Sequence, residues 1–185
     1  MPPRHRDAPL HPADRLSEDE RLLFSSVREF AGREVAPLVR EMDEQARIPR
    51  ALIDKLFGLG VMAIEIPEAL GGAGGSFFHA VLAVEALSGV DPSVGLVVDV
   101  QNTLVINALR RWGSRDLQAR YLPRLAGGAI GAYALSEAGS GSDAFALTTR
   151  AVPTGDGYVL TGRKLWITNA QEAGLVIVFA TLDPA

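Results

Sequence analysis

From residue 17 to about 126, apolar positions recur every three or four residues, the spacing of helices with one buried face. Ser17-Glu18-Asp19-Glu20 reads as a capping box, a hydroxyl and a carboxylate three residues apart that satisfy the first free backbone N–H groups. Leu23, Val27, Phe30 and Ala31 continue the apolar stripe, and Pro37 either kinks this helix or starts another. A second helix runs from about Pro49 with Leu52, Ile53, Leu56 and Phe57 on one face, and Gly58 and Gly60 end it. Val61–Ile66 reads as a short extended piece, followed by a flexible turn around Gly71-Gly72-Ala73-Gly74-Gly75. Further helices are expected over 77–88, 92–112 and 115–125. The long one is apolar on most sides, as in a buried bundle helix, so Gln101, Asn102 and Asn107 within it need hydrogen-bond partners.

The pattern then changes. Gly127-Gly128 reads as a hinge, and strand-like runs follow at Ile130–Ser136, Ala146–Pro153, Tyr158–Trp166 and Leu175–Leu182. Thr154-Gly155-Asp156-Gly157 is a hairpin turn between two of them. The expected architecture is α+β: a disordered leader over 1–16, a helical domain over 17–127, and an incomplete antiparallel β-domain over 128–185. The buried-type run Leu175–Ala180 lies only five residues from the end of the sequence, which would leave an apolar sheet edge. The expectation is a piece of a longer protein.

Composition removes several classes. With 48% hydrophobic and 22% charged residues over 185 positions, the chain has the balance of a folded globular protein. A net charge of −4 without a basic cluster disfavours nucleic acid as a partner. Zero cysteines exclude disulfides, thiolate nucleophiles and Cys-ligated metals, and three scattered histidines offer no metal spacing. The longest apolar stretches are about half a membrane span, and the start lacks the apolar core of a secretory signal. Of the 18 basic residues only Lys55 and Lys164 are lysines, which reads as coding bias and not as chemistry.

Two segments carry candidate chemistry. In Tyr133-Ala134-Leu135-Ser136-Glu137-Ala138-Gly139-Ser140-Gly141-Ser142-Asp143, a strand enters a loop of small and hydroxyl residues. Glycines let such a backbone approach a ligand and turn its N–H groups inward, a nest suited to pyrophosphate. An ordinary polar loop is the competing reading. No Gly-Lys-Ser/Thr follows, so it is not a P-loop, and no helix follows as in a Rossmann loop. In Trp166-Ile167-Thr168, the indole offers a face for a planar heterocycle, with a hydroxyl two residues on along an extended chain. An amphipathic Trp at a sheet boundary is the alternative.

Leu135-Ser136-Glu137-x-x-Ser140-Gly141-Ser142-Asp143 resembles the signature of the acyl-CoA dehydrogenases, and Trp166-Ile167-Thr168 resembles their second flavin segment. The likeness extends through Phe30-Ala31 to Pro37, Asp43-Glu44, Ile66-Pro67-Glu68 with the glycine run, and Tyr121-Leu122-Pro123 to Gly127, covering roughly residues 17–185. Val100–Leu104 and Ser142–Leu147 look most like the short/branched-chain branch.

The resemblance implies an FAD enzyme that removes an α-proton from an acyl-CoA thioester while the β-hydrogen leaves as hydride, giving a trans-2-enoyl-CoA. Tyr133, Ala134, Leu135, Ser136, Gly139, Ser140, Gly141 and Ser142 would line the FAD, with Ser136 on the ring and Ser142 near the pyrophosphate and the CoA substrate. Trp166 would pack on the ring, with Ile167 beside it and Thr168 near N5. Gln101 and Leu104 would face the acyl tail. The family's catalytic Glu belongs to a C-terminal helical bundle beyond Ala185. Glu137 is therefore expected to hold a turn, and Glu65, Glu68 and Glu172 to be solvated. The resemblance further implies an electron-transfer flavoprotein as acceptor, a homotetramer, and a bacterial cytoplasmic or mitochondrial matrix location. Within the same fold, acyl-CoA oxidases, flavin monooxygenases and nitroalkane-oxidising enzymes are alternatives. A non-catalytic subunit completed by a second, base-bearing chain is another.

Overall fold

A computed structural model describes residues 15–182. Residues 1–14 of the expected leader lie outside them. Helix α1 (Glu18–Phe30) opens with the expected capping box: Glu20 N–H donates to Ser17 Oγ at 3.2 Å, and Ser17 N–H donates to Glu20 Oε2 at 2.7 Å. It buries Val27 and Phe30. Pro37 has no N–H to give the carbonyl four residues back. The chain there passes through a π-helical turn (Ala31–Val35) and a 3₁₀ turn (Ala36–Leu38) before α2 (Val39–Gln45). Helix α3 (Arg50–Gly58) buries Leu52, Ile53 and Leu56. Helix α4 (Phe77–Ser88) packs against α1 and α5 (Pro92–Asp99). Asp91 caps α5, accepting from Ser93 N–H at 2.7 Å and Val94 N–H at 3.0 Å.

The expected single helix over 92–112 is a rod of three parts: α5, a π-helical stretch (Val100–Ile106), and α6 (Asn107–Trp112). Helix α7 (Arg115–Ala126) follows. Leu52, Leu56, Leu87 and Val98 anchor the main core, and full burial of each such side chain contributes roughly 1.5–3 kcal/mol. A second cluster of Ile66, Val105, Ile106, Leu122 and Leu125 joins the helices to the strands.

The glycine run is tied down, which corrects the expectation of a flexible turn. Ala73, Gly74 and Gly75 donate to the carbonyls of Ala63, Ile66 and Ile64 at 3.0, 2.9 and 2.7 Å. A Cβ at Gly72 would stand 2.1 Å from the Ile66 carbonyl oxygen, so the close approach itself demands glycine. Residues 61–66 form turns and not an extended segment, because their backbone bonds run to this loop.

The expected hinge falls at the junction of the helices and the strands. Gly127 ends α7, Gly128 takes a φ of 113°, and the Gly128 carbonyl accepts from Arg50 Nη2 at 3.3 Å. Four strands follow: β1 (Ile130–Ala134), β2 (Arg150–Thr154), β3 (Gly157–Thr161) and β4 (Ala173–Val178). The β2–β3 hairpin is antiparallel, with Val152 opposite Val159. Strand β1, however, pairs in parallel with β4, with Tyr133 opposite Ile177, so the region is not antiparallel throughout. A parallel pair requires a long crossover, and residues 135–172 supply it. Thr181 N–H donates to the Thr149 carbonyl at 2.8 Å and Ala151 N–H to the Thr181 carbonyl at 2.9 Å, which ties the hairpin to the end of β4. No helix among the described residues is long and apolar enough to cross a membrane.

Candidate functional site

Strand β1 leads into the first candidate segment, and buried amides fix where it lies. Gly131 N–H donates to Gln101 Oε1 at 2.7 Å, and Gln101 Nε2 donates to the Ala129 carbonyl at 3.1 Å. Gln101 is fully buried. Both ends of its amide are committed to backbone, which corrects the expectation that it faces an acyl tail. Leu104, on the same π-helical stretch, is partly exposed. Asn102 is likewise buried, accepting from Ile64 N–H at 3.0 Å and donating to the Val61 and Val98 carbonyls at 2.8 and 2.9 Å. Asn107 Nδ2 donates to Glu65 at 3.1 Å, and Arg110 donates to the same carboxylate at 2.8 Å. Glu65 is thus buried and paired, contrary to the expected solvated role. Glu172 is half-buried and pairs with Arg47 at 3.4 Å.

Within β1 the Tyr133 ring packs on Phe179 with centroids 4.9 Å apart, and burial pushes its phenol pKa up. Ala134 and Leu135 continue the strand line: the Ala134 carbonyl accepts from Phe179 N–H, and the Leu135 carbonyl accepts from Lys164 Nζ, at 3.0 and 2.9 Å. The loop then closes on itself. Glu137 and Ser140 exchange backbone hydrogen bonds at 2.9 and 3.1 Å, and the buried Ser140 hydroxyl donates to the Asp143 carbonyl at 2.9 Å. Ser140 therefore shapes the loop with its side chain. Gly139, Gly141 and Ser142 stay exposed, with open space where a Cβ would stand on either glycine.

Glu137 is the hub below this loop. Its Oε2 accepts from Thr148 N–H and Thr148 Oγ1, both at 2.7 Å. Its Oε1 accepts from Thr149 N–H at 3.0 Å and from Lys164 Nζ at 2.7 Å. The Lys164 ammonium first, then the Thr148–Thr149 donors, hold its carboxyl well below the usual carboxylate range. A carboxylate with four donors on it is a structural anchor, as expected, and is poorly disposed to collect a substrate proton.

The second segment joins the first through main chain: Leu165 N–H donates to the Ser136 carbonyl at 2.9 Å. Trp166 follows with a φ of 58° and 94% of its surface exposed. Asn169 also takes a left-handed φ, 67°, and its Nδ2 donates to the Gly131 carbonyl at 3.1 Å. Ile167 and Thr168 are among the residues lining a cleft of about 940 Å³ between this segment, α2, α3 and the start of α5. That cleft takes in none of residues 133–142. The structure thus joins Ser136 to the Trp166 segment through backbone and keeps Gln101 in the core.

Sequence reasoning missed Lys164, Thr148, Thr149 and Asn169 as parts of this corner, along with Phe145, which is 99% exposed. For Lys164 a signal existed: it is one of only two lysines in an arginine-rich chain.

Residues 17–129 match the acyl-CoA dehydrogenase N-terminal domain and residues 132–185 the acyl-CoA dehydrogenase middle domain. The chain belongs to the acyl-CoA dehydrogenase family. It is 48% identical over 177 residues to a Dictyostelium discoideum protein described as "Probable short/branched chain specific acyl-CoA dehydrogenase", covering 95% of this chain and 43% of that one. It is 43% identical to the mitochondrial short/branched chain specific acyl-CoA dehydrogenase of Bos taurus, covering 95% and 40%. A Mycobacterium smegmatis glutaryl-CoA dehydrogenase solved with FADH2 superposes with a TM-score of 0.84 at 34% identity, covering 91% and 44%. The chain thus spans less than half the length of these relatives.

Proposed function

We propose that this chain supplies the helical part and the flavin-side part of an FAD-dependent acyl-CoA dehydrogenase. The reaction is α,β-dehydrogenation of a short or branched-chain acyl-CoA to a trans-2-enoyl-CoA. The observation that carries the reading is the junction of the two candidate segments, with Leu165 bonded to Ser136 and a bare indole one residue further on. The residues fit the cofactor: Gly139, Gly141 and Ser142 leave open backbone for a pyrophosphate, and Trp166 offers an exposed aromatic face. When bound, FAD supplies the hydride acceptor.

The chain's own residues bind and orient. Tyr133–Ser136 and Trp166–Thr168 hold the ring side, and Gly139–Ser142 hold the phosphates. Ser142 also stands near the CoA moiety. Leu104 is left as the tail-facing side chain of the helical part. The base is supplied from elsewhere in the assembly, because Glu137 is fully occupied by donors. The partners in this reading are an acyl-CoA and an electron-transfer flavoprotein, within a homotetramer in a bacterial cytoplasm or a mitochondrial matrix.

The test is titration of the purified chain with FAD in a Trp112→Phe background, which leaves Trp166 as the sole indole. Saturable, weak quenching of Trp166 is expected, without turnover of butyryl-CoA or 2-methylbutyryl-CoA. Absence of quenching at millimolar FAD would refute the cofactor reading. Turnover by the chain alone would refute the outside base.

A further inference from the structure

Lys164 is largely covered, with its side chain 11% exposed, and it faces a buried Glu137 side chain that is 5% exposed. A buried ion pair adds little net stability over an apolar pair of the same shape, because desolvating two charges consumes most of the Coulombic gain. Placement is the better account of this one. The ammonium is bonded to the Leu135 carbonyl at 2.9 Å and to Glu137 Oε1 at 2.7 Å. Leu135 is the last residue before the ring-side Ser136, and Glu137 closes the glycine–serine loop by its backbone exchange with Ser140. Lys164 itself lies two residues before Trp166. One compact cation therefore touches the root of every element that the proposed site uses. The choice of lysine is chemical. Two acceptors converge on one point, which suits an ammonium and not the planar fork that the chain uses at nearly all its other basic positions.

We infer that Lys164 is a positioning residue, paired with Glu137, that fixes the spacing between a phosphate-binding loop and a ring-stacking segment so that one flavin dinucleotide spans both. The inference rests on the cofactor reading above. The two half-sites act as linked binding modules: the dinucleotide binds more tightly than either half because the second contact is intramolecular at a fixed distance. Loosening the clamp leaves each half-site intact and lowers that linkage gain.

The experiment uses the whole chain and three probes: FAD, ADP for the phosphate half, and riboflavin for the ring half. Wild type should bind FAD at least tenfold more tightly than either half. Lys164→Met should lose most of that tenfold while ADP and riboflavin bind within about twofold of wild type. A general loss of structure would weaken all three together, so the split marks positioning. If Lys164→Met loses its helical circular dichroism, Glu137→Gln carries the test, because it removes the charge pair while its single amide oxygen keeps an acceptor for the two Thr148 donors. Unchanged FAD affinity in a folded variant overturns the inference and leaves the cofactor reading standing. A wild-type chain that binds none of the three probes overturns both.

Discussion

The sharpest stability prediction concerns Gln101→Met, which keeps the shape of the side chain and removes both hydrogen-bonding groups. In the native chain the Gln101 amide accepts from Gly131 N–H at 2.7 Å and donates to the Ala129 carbonyl at 3.1 Å. Methionine leaves the Gly131 N–H without this partner in a buried position, at about 1–3 kcal/mol, and the partly buried Ala129 carbonyl at about 0.5–1.5 kcal/mol. The sum is roughly 1.5–4.5 kcal/mol, without a cavity contribution because the volumes are similar. With a urea slope of about 2 kcal/mol per molar, the midpoint falls by roughly 1–2 M at unchanged slope. The assay is urea denaturation followed by far-UV circular dichroism. An unchanged midpoint with altered acyl-CoA affinity would refute the argument and return Gln101 to the acyl tail.

Two further predictions use the same corner. At Gly131 a Cβ would meet Val105 Cγ1 at 2.5 Å and Val105 Cβ at 2.9 Å. Gly131→Ala should therefore lose about 1–3 kcal/mol by overpacking, and adding Val105→Ala should recover part of it, read as a double-mutant cycle in urea. Glu137 has its folded-state pKa depressed below the ordinary value of 4.5, so its contribution is fully present above that value and is lost as pH falls below it. Wild type should become less stable from about pH 4.5 downward, and Glu137→Gln should flatten that slope. An identical acid limb in both proteins would show that Glu137 does not set it.

Much of the helical half was legible because its signals are local. The capping box at Ser17, the stripe through Leu52 and Leu56, and the stops at glycine each act within a few residues. The π-helical stretch at Val100–Ile106 was not legible, because an apolar run reads the same for either helical pitch, and the buried amides of Gln101 and Asn102 take their partners from distant backbone. The centres of the four strands were legible, but not their bounds: residues 146–149 and 162–166 are not strand, and Trp166 with a φ of 58° breaks the extended chain expected through Thr168. The parallel pairing of β1 with β4 was not legible either. An apolar strand records its burial but not its neighbour. The glycine run suggested mobility, yet close backbone approach to residues 63–66 is what requires it. For Glu137 the signature indicated an anchoring role, while the partners that give it that role lie 11, 12 and 27 residues away.

The division between interior and surface polar groups carries the functional argument one step further. Glu137, Gln101, Asn102, Ser140 and Lys164 are each held by named internal partners, so none needs a ligand to offset its burial. What the corner leaves outward is a different set: the glycine backbone of residues 139–141, the exposed Ser142, and the bare rings of Phe145 and Trp166. Each of these two rings presents a broad apolar face outward. Donors for an anion beside a plane for stacking match the two ends of a dinucleotide whose other end is a fused ring. Within that interior set, the Lys164–Glu137 pair is the part bonded at both segments, to the Leu135 carbonyl before Ser136 and to the carboxylate below the glycine–serine loop.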